Sequence, residues 1–278
     1  MYMMAIHVQI IDPQRRLLIF LCIHECLSRI VYNSLLVSLG NLENYESAQA
    51  ADMLLKRMKS KFPRMPTLLE YNLVLKAWSK SGHKSAGRHA LAIIKSMVED
   101  KITPDIVSYN TVLAAVARSG DSLGAESILQ DMINNPHLPN PTKRSFTSVI
   151  SSWAEQGQPG KALKLLDLMD QLNEEPNTFI YNCVLQGFVR SRDRKSTERA
   201  FALFDSMRER GLVNHVSYNT MIHLLAFDKS KSNDAVERAE QLLDEMERSL
   251  RITPNEVTYN TLLKTILFQH QTPDRESR

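Results

Sequence analysis

Seven side chains able to pair with polar partners recur along this chain at near-regular spacing. Asn33, Asn72, Asn110, Thr147, Asn182, Asn219 and Asn260 lie 39, 38, 37, 35, 37 and 41 residues apart. A carboxamide offers donors and an acceptor, and a hydroxyl offers one donor with acceptor lone pairs. Such groups suit recognition rather than bond breaking. Cations follow them: steps of four residues give Asn72-Lys76-Lys80, Asn110-Ala114-Arg118, Asn182-Gln186-Arg190 and Asn260-Lys264. Thr147-Ser151-Glu155 and Asn219-His223-Phe227 break the basic row. Residues four apart share a helix face, and a face of amides and cations can hold base edges and phosphates. The plain alternatives are first-turn asparagines that satisfy free backbone donors and solvated surface charges.

The elements that must position these residues repeat with them. IVSYNTVL from Ile106, FIYNCVL from Phe179, HVSYNTMI from His215 and EVTYNTLL from Glu256 align, with weaker copies RIVYNSLL from Arg29, LLEYNLVL from Leu68 and RSFTSVI from Arg144. Tyr109, Val112, Leu113 and Val116 stand at i, i+3, i+4 and i+7, which predicts a helix A with Ser108 as its N-cap. Each of the first six anchors is followed 22 to 27 residues later by a methionine closing a second apolar face. Ala51-Leu54-Leu55-Met58, Ala90-Ile93-Ile94-Met97, Ala125-Ile128-Leu129-Met132, Ala162-Leu165-Leu166-Met169, Ala200-Leu203-Phe204-Met207 and Ala239-Leu242-Leu243-Met246 share those offsets, which predicts a helix B. Ser119-Gly120-Asp121 reads as the turn between them, and Thr103-Pro104-Asp105 as a link to the next unit. One hairpin cannot bury both its apolar faces, so units must stack. The expected fold is therefore all-α, a helical-repeat solenoid. Residues 1–29 read as a poorly defined amino-terminal segment, 30–268 as about six full repeats plus a final helix A, and 269–278 as a tail.

Composition excludes little but narrows the partner. The net charge is +3, with 43% hydrophobic and 23% charged residues, so only a local basic stripe would favour nucleic acid. Three cysteines do not make a disulfide framework. Cys22 and Cys26 flank His24, but no second ligand pair accompanies them, which argues against a metal. The apolar run Leu17–Ile23 is too short to span a bilayer. No P-loop, dinucleotide turn or nucleophile elbow occurs, and the expectation is a non-enzyme with no cofactor, no membrane and no small-molecule substrate.

The stem VSYNT or VTYNT followed by A-x-x-L-F-x-x-M resembles the pentatricopeptide repeat family, over about Ile30 to Phe268. Tetratricopeptide repeats would show a Trp-Leu-Gly and a later Pro, and neither recurs. The resemblance implies a right-handed superhelix of antiparallel hairpins, with helices A on the concave side, that binds single-stranded RNA one base per repeat. It implies that each anchor reads a base together with the last residue of its repeat. The pairs are Asn33 with Thr67, Asn72 with Asp105, Asn110 with Thr142, Thr147 with Asn177, Asn182 with Asn214, and Asn219 with Asn255, while Asn260 stands alone. It implies that Ile30, Leu69, Val107, Phe179, Val216 and Val257 sandwich the bases, with Arg144 departing from that row. Lys76, Lys80, Arg118, Arg190 and Lys264 are the expected phosphate contacts. By family likeness Asn72–Asp105 reads U, Thr147–Asn177 reads A and the Asn–Asn pairs read a pyrimidine, as do Asn33–Thr67 and Asn110–Thr142, with the amino end toward the 5′ side of the RNA. Family members serve RNA processing, stabilisation or translation in mitochondria or chloroplasts, with other RNA-processing proteins as partners. The competing function is a scaffold for protein–protein contacts. Against it, a peptide groove has no need of Asn or Thr at the anchors with Asp, Asn or Thr at the repeat ends.

Overall fold

The computed structural model describes residues 29–62, 66–191, 196–226, 234–249 and 252–270. Cys22, His24, Cys26, the Leu17–Ile23 run, Phe227, the Lys229–Asn233 insertion and most of the 269–278 tail lie outside the described residues. Among the described residues there are thirteen helices and no strand. Helices A are α1 (Arg29–Leu39), α3 (Leu68–Lys80), α5 (Ile106–Arg118), α7 (Lys143–Glu155), α9 (Thr178–Arg190), α11 (His215–Ala226) and α13 (Glu256–His270). Helices B are α2 (Tyr45–Lys61), α4 (Ala86–Glu99), α6 (Ser122–Asn134), α8 (Pro159–Gln171), α10 (Ser196–Glu209) and α12 (Asp234–Arg248). The fold is the expected helical-repeat solenoid.

The chain divides into two compact units at Pro141/Thr142. In the first, α3 packs on α1 and α5, on its own helix B, α4, and on the preceding one, α2. In the second, α9 packs likewise on α7, α11, α10 and α8. Each helix A thus has partners on several sides, and its apolar positions are buried accordingly: Tyr71, Val74, Leu75 and Trp78 in α3, and Tyr181, Val184, Leu185 and Phe188 in α9. A helix B has one face to hide. Its alanine and methionine are buried in every case, while one middle residue is only half-buried in α4 (Ile94), α6 (Ile128), α10 (Leu203) and α12 (Leu243). Truncating a sealed methionine such as Met169 to alanine should cost about 2–5 kcal/mol.

Two glycines permit the closest approaches in the second unit. A Cβ on Gly187 would stand 3.0 Å from Ala154 Cα, so this residue lets α9 lie against α7. Gly157 has φ +66°, and a Cβ there would meet the Arg190 carbonyl oxygen at 2.8 Å. A left-handed residue pressed on another backbone admits glycine alone.

Helix A begins three residues earlier than its apolar pattern suggests. Ser108 is not the N-cap of α5. That role belongs to Asp105, whose carboxylate accepts from Ser108 N–H at 2.8 Å, while Ser108 Oγ closes a capping box at N3. The apolar period starts only at Tyr109 because the first turn faces other groups.

Candidate nucleic-acid interface

The residue ending each repeat is the N-cap of the next helix A. Thr67, Asp105, Thr142 and Asn177 cap α3, α5, α7 and α9. Asn214 and Asn255 accept from Ser217 N–H and Thr258 N–H, each at 3.1 Å, at the starts of α11 and α13. Asp, Asn, Ser and Thr are the residues that N-caps select. Capping therefore explains the repeat-end residues whatever the ligand, and their identity does not separate an RNA groove from a peptide groove.

Two of the paired positions meet through a three-residue clasp. Asn72 Nδ2 donates to Asp105 Oδ1 at 3.3 Å, and Ser108 Oγ donates to Asn72 Oδ1 at 2.6 Å. Asn182 Nδ2 donates to Asn214 Oδ1 at 3.2 Å, and Ser217 Oγ donates to Asn182 Oδ1 at 2.7 Å. Ser108 and Ser217 are fully buried, and Asn182 is 6% exposed. Burial raises the Asp105 carboxyl, but Ser108 N–H, Ser108 Oγ and the Asn72 amide outweigh it and hold the group below its usual value. These bonds converge on Oδ1 and leave Oδ2 out of the clasp.

The other units differ. Thr147 donates to its own helix at the Lys143 carbonyl, 2.6 Å away, and Asn177 Oδ1 accepts from Ile180 N–H at 3.0 Å. Asn219 Oδ1 is buried without a partner, and Thr258 Oγ1 donates to Asn255 Oδ1 at 3.1 Å. Asn33 hydrogen-bonds Glu70, a buried carboxylate where the clasped units have serine. Asn110 is 6% exposed on α5, Thr142 opens α7, and Asn260 is exposed on α13.

Outside the buried amides lies a row of exposed apolar side chains, each three residues before an anchor. Ile30, Leu69, Val107, Phe179, Val216 and Val257 are all exposed, an arrangement core packing does not require. In the second unit Phe179 and Val216 border a cleft of about 540 Å³ whose lining also includes Asn182, Asn214 and Arg190. The cations are less uniform. Lys76 Nζ donates to Asn41 Oδ1 at 2.9 Å, Lys80 pairs with Glu43 at 3.0 Å, and Arg118 donates to the Ser79 carbonyl at 3.0 Å. Lys80 holds the Glu43 carboxyl below its usual value. Arg190 and Lys264 are exposed and make no hydrogen bond or ion pair to another described residue. Among the described residues there is no cluster of three metal-ligating side chains and no helix long and apolar enough to cross a membrane.

Sequence models of the PPR repeat family match residues 176–226 and 213–266, the pentatricopeptide repeat domain matches 92–151, and a single PPR repeat matches 144–173. The chain belongs to the pentatricopeptide repeat family. Among similar relatives, a pentatricopeptide repeat-containing protein of Arabidopsis thaliana is 29% identical over 63% of this chain and 23% of its own length. The small ribosomal subunit protein mL103 of Arabidopsis thaliana is 24% identical over 66% of this chain and 42% of its own. The mitochondrial 15S rRNA processing factor CCM1 of Yarrowia lipolytica is 25% identical over 56% and 20%. The chain thus spans less than half the length of each of these relatives. The pentatricopeptide repeat protein PPR10 from maize shares its fold at TM-score 0.66 and 27% identity, over 90% of this chain and 34% of that one. A second PPR10 structure, in complex with an 18-nt psaJ RNA element, matches at TM-score 0.67 and 22% identity, over 92% and 35%.

Within the pentatricopeptide frame, sequence reasoning missed the residue two places before each anchor. Ser108, Ser217 and Thr258 looked like caps and Glu70 drew no reading, yet these four side chains are fully buried. The available signal was that a polar residue holds this place in five of the seven otherwise apolar stems.

Proposed function

We propose that this chain binds single-stranded RNA along its helices A, each unit addressing one base. The supporting observation is the cleft in the second unit. A fixed amide pair, Asn182 with Asn214, lies between exposed Phe179 and Val216 and beside Arg190. That combination supplies a stacking face, polar groups for a base edge and a cation for phosphate.

The hydrogen bonds already made decide what each pair can still offer. Asn72 keeps one amide N–H and Asp105 keeps Oδ2, a donor beside an acceptor, which complements a uracil carbonyl and N3–H. Thr147 has given its proton to Lys143, and Asn177 has its Oδ1 engaged. An acceptor beside an amide donor then remains, complementary to the adenine amino group and N1. Asn182 and Asn214 have their oxygens engaged and retain N–H donors, complementary to the cytosine N3 and O2 acceptors. For these three units the unpaired groups support the base preferences that the family resemblance implies.

The role is RNA binding rather than catalysis, with Lys76, Lys80, Arg118, Arg190 and Lys264 serving phosphates and other RNA-processing proteins as further partners. Relatives named mitochondrial 15S rRNA processing factor and chloroplastic or mitochondrial pentatricopeptide proteins support action in one of those organelles. Selection from a random pool of single-stranded RNAs, with sequencing of the retained molecules, tests the proposal. The expected yield is a core of pyrimidine, U, pyrimidine, A, pyrimidine, pyrimidine. Retention without any sequence bias, or capture of no RNA while peptides bind, would overturn it in favour of a protein scaffold.

A further inference from the structure

In three units the residue at the third position of a helix A bonds the anchor of the preceding unit, and its chemistry differs between them. Serine has a proton to give. Ser108 and Ser217 give theirs to Asn72 Oδ1 and Asn182 Oδ1, which turns each amide so that Nδ2 lies toward the N-cap residue. Ile180 has nothing to give, and the anchor before it is Thr147, which bonds its own helix instead. Thr258 has a proton too, but donates it to Asn255 Oδ1, and Asn219 Oδ1 is left without a partner. Glu70 differs in kind. Its Oε2 accepts from Thr67 N–H at 2.7 Å and from Thr67 Oγ1. Burial raises this carboxyl, but the Thr67 bonds and the Asn33 amide outweigh it and keep it ionised at neutral pH. An ionised carboxylate only accepts. Asn33 must therefore offer it Nδ2, and its Oδ1 is left buried with no partner. Turning the amide over would set two acceptor oxygens against each other in a buried site, a costly arrangement.

We infer that the third residue of a helix A, where it bonds the preceding anchor, is a specificity-determining position for that unit, and that Glu70, by reversing the Asn33 amide, removes the pyrimidine preference of the first unit. The unit keeps exposed Ile30 and Leu69, so it still occupies one nucleotide. Thr67 has its proton on Glu70 and presents only lone pairs, and Asn33 spends an N–H on Glu70 while its oxygen is buried. Such a site has no matched set for a pyrimidine edge. The inference rests on the RNA-reading proposal above. It alters what that reading expects of one position, from pyrimidine to no pyrimidine preference.

The test uses the full chain and a set of RNAs that vary only at the nucleotide 5′ to the one read by Asn72–Asp105. In the wild type, affinities for the four bases there should show no pyrimidine preference beyond about twofold. Glu70→Ser supplies the missing donor, and Glu70→Gln supplies one without loss of volume. Either should produce a pyrimidine preference of about fivefold or more, the size of one ordinary base mismatch. A merely structural role would change affinity for all four RNAs alike. A wild-type pyrimidine preference as large as the U preference at the adjacent Asn72–Asp105 nucleotide overturns the inference, and so does a folded variant with an unchanged base profile. The adjacent nucleotide is the internal control. If the wild type shows no U preference there, base reading by amides itself fails and this inference falls with it.

Discussion

Phe179→Ala removes the one aromatic from the exposed apolar row. The side chain is 62% exposed, so it has little native packing to lose, and folding stability should change by about 0.5 kcal/mol or less. Its partner across the cleft, Val216, remains in place. Base stacking on an aromatic ring is worth about 1–3 kcal/mol per base by alanine substitution. Because one apolar wall survives, the lower half of that range applies, and affinity should fall about tenfold. Met53→Ala is the control. Met53 is also exposed, at 54%, but lies on the helix B α2, so its loss should leave RNA binding unchanged. Fluorescence anisotropy with a labelled RNA selected by the wild type measures both, with urea denaturation to establish that each variant is folded. A loss below twofold for Phe179→Ala, or an equal loss for Met53→Ala, would refute the assignment of the helix A face as the RNA-binding surface.

Asn177→Asp keeps a good N-cap on α9 but replaces the amide donor by an acceptor, so preference at that nucleotide should move from A toward G with stability unchanged; wild-type base ratios would count against Thr147 and Asn177 as readers. Salt should weaken binding steeply, each phosphate contact adding about 0.7 to the log–log slope. Lys80→Ala together with Arg118→Ala should flatten that slope without altering base preference, whereas a flat wild-type slope would deny a phosphate channel. Arg118→Ala should also destabilise the first unit, because it strips a guanidinium from the Ser79 carbonyl. Ser217→Ala leaves Asn182 Oδ1 in a buried site without its donor and should cost about 1–3 kcal/mol in urea denaturation. The Asp105 carboxyl is lowered in the fold, so its contribution is complete above the ordinary value of 3.8 and is lost as pH falls through the folded value. Acid denaturation of Asp105→Asn should therefore show a shallower pH dependence below pH 4 than the wild type.

The helices were legible because burial is periodic. Six copies of a small-apolar-apolar-Met face and a Tyr-centred stem leave no other arrangement that hides both faces, and the structure buries the alanines and methionines of all six helices B. The anchors and the repeat ends were legible as positions, but their local duties were not. Ser108 looked like a cap because it precedes the first apolar residue, whereas the cap is three residues upstream and Ser108 bonds a side chain 36 residues away. Lys80 and Arg118 looked like a free basic stripe because sequence spacing does not reveal Glu43 or the Ser79 carbonyl across the helix gap. Periodicity reports which side of a helix is dry. It does not report which buried polar atom finds which partner in another hairpin.

That distinction bears on how such a repeat can carry specificity. The repeat-end residue must cap a helix, and capping favours a short side chain with an oxygen near the backbone. The same side chain is the one placed beside the anchor amide, as Asp105 and Asn214 are. Its choices are thus confined to the good caps, essentially Asp, Asn, Ser and Thr. Those few differ in what remains after capping: a carboxylate keeps an acceptor, a carboxamide keeps donors, and a hydroxyl keeps one small group of either kind. In three units the anchor is constrained in the same way by the third residue of the following helix: Ser108 and Ser217 take its oxygen, and Glu70 takes its nitrogen. On the proposed RNA-reading role, base choice is then the hydrogen-bonding capacity left over when the helix start and the inter-repeat clasp have been satisfied. A substitution at any of the three positions should be judged by what it leaves unpaired toward the groove, not by the pair of residues alone.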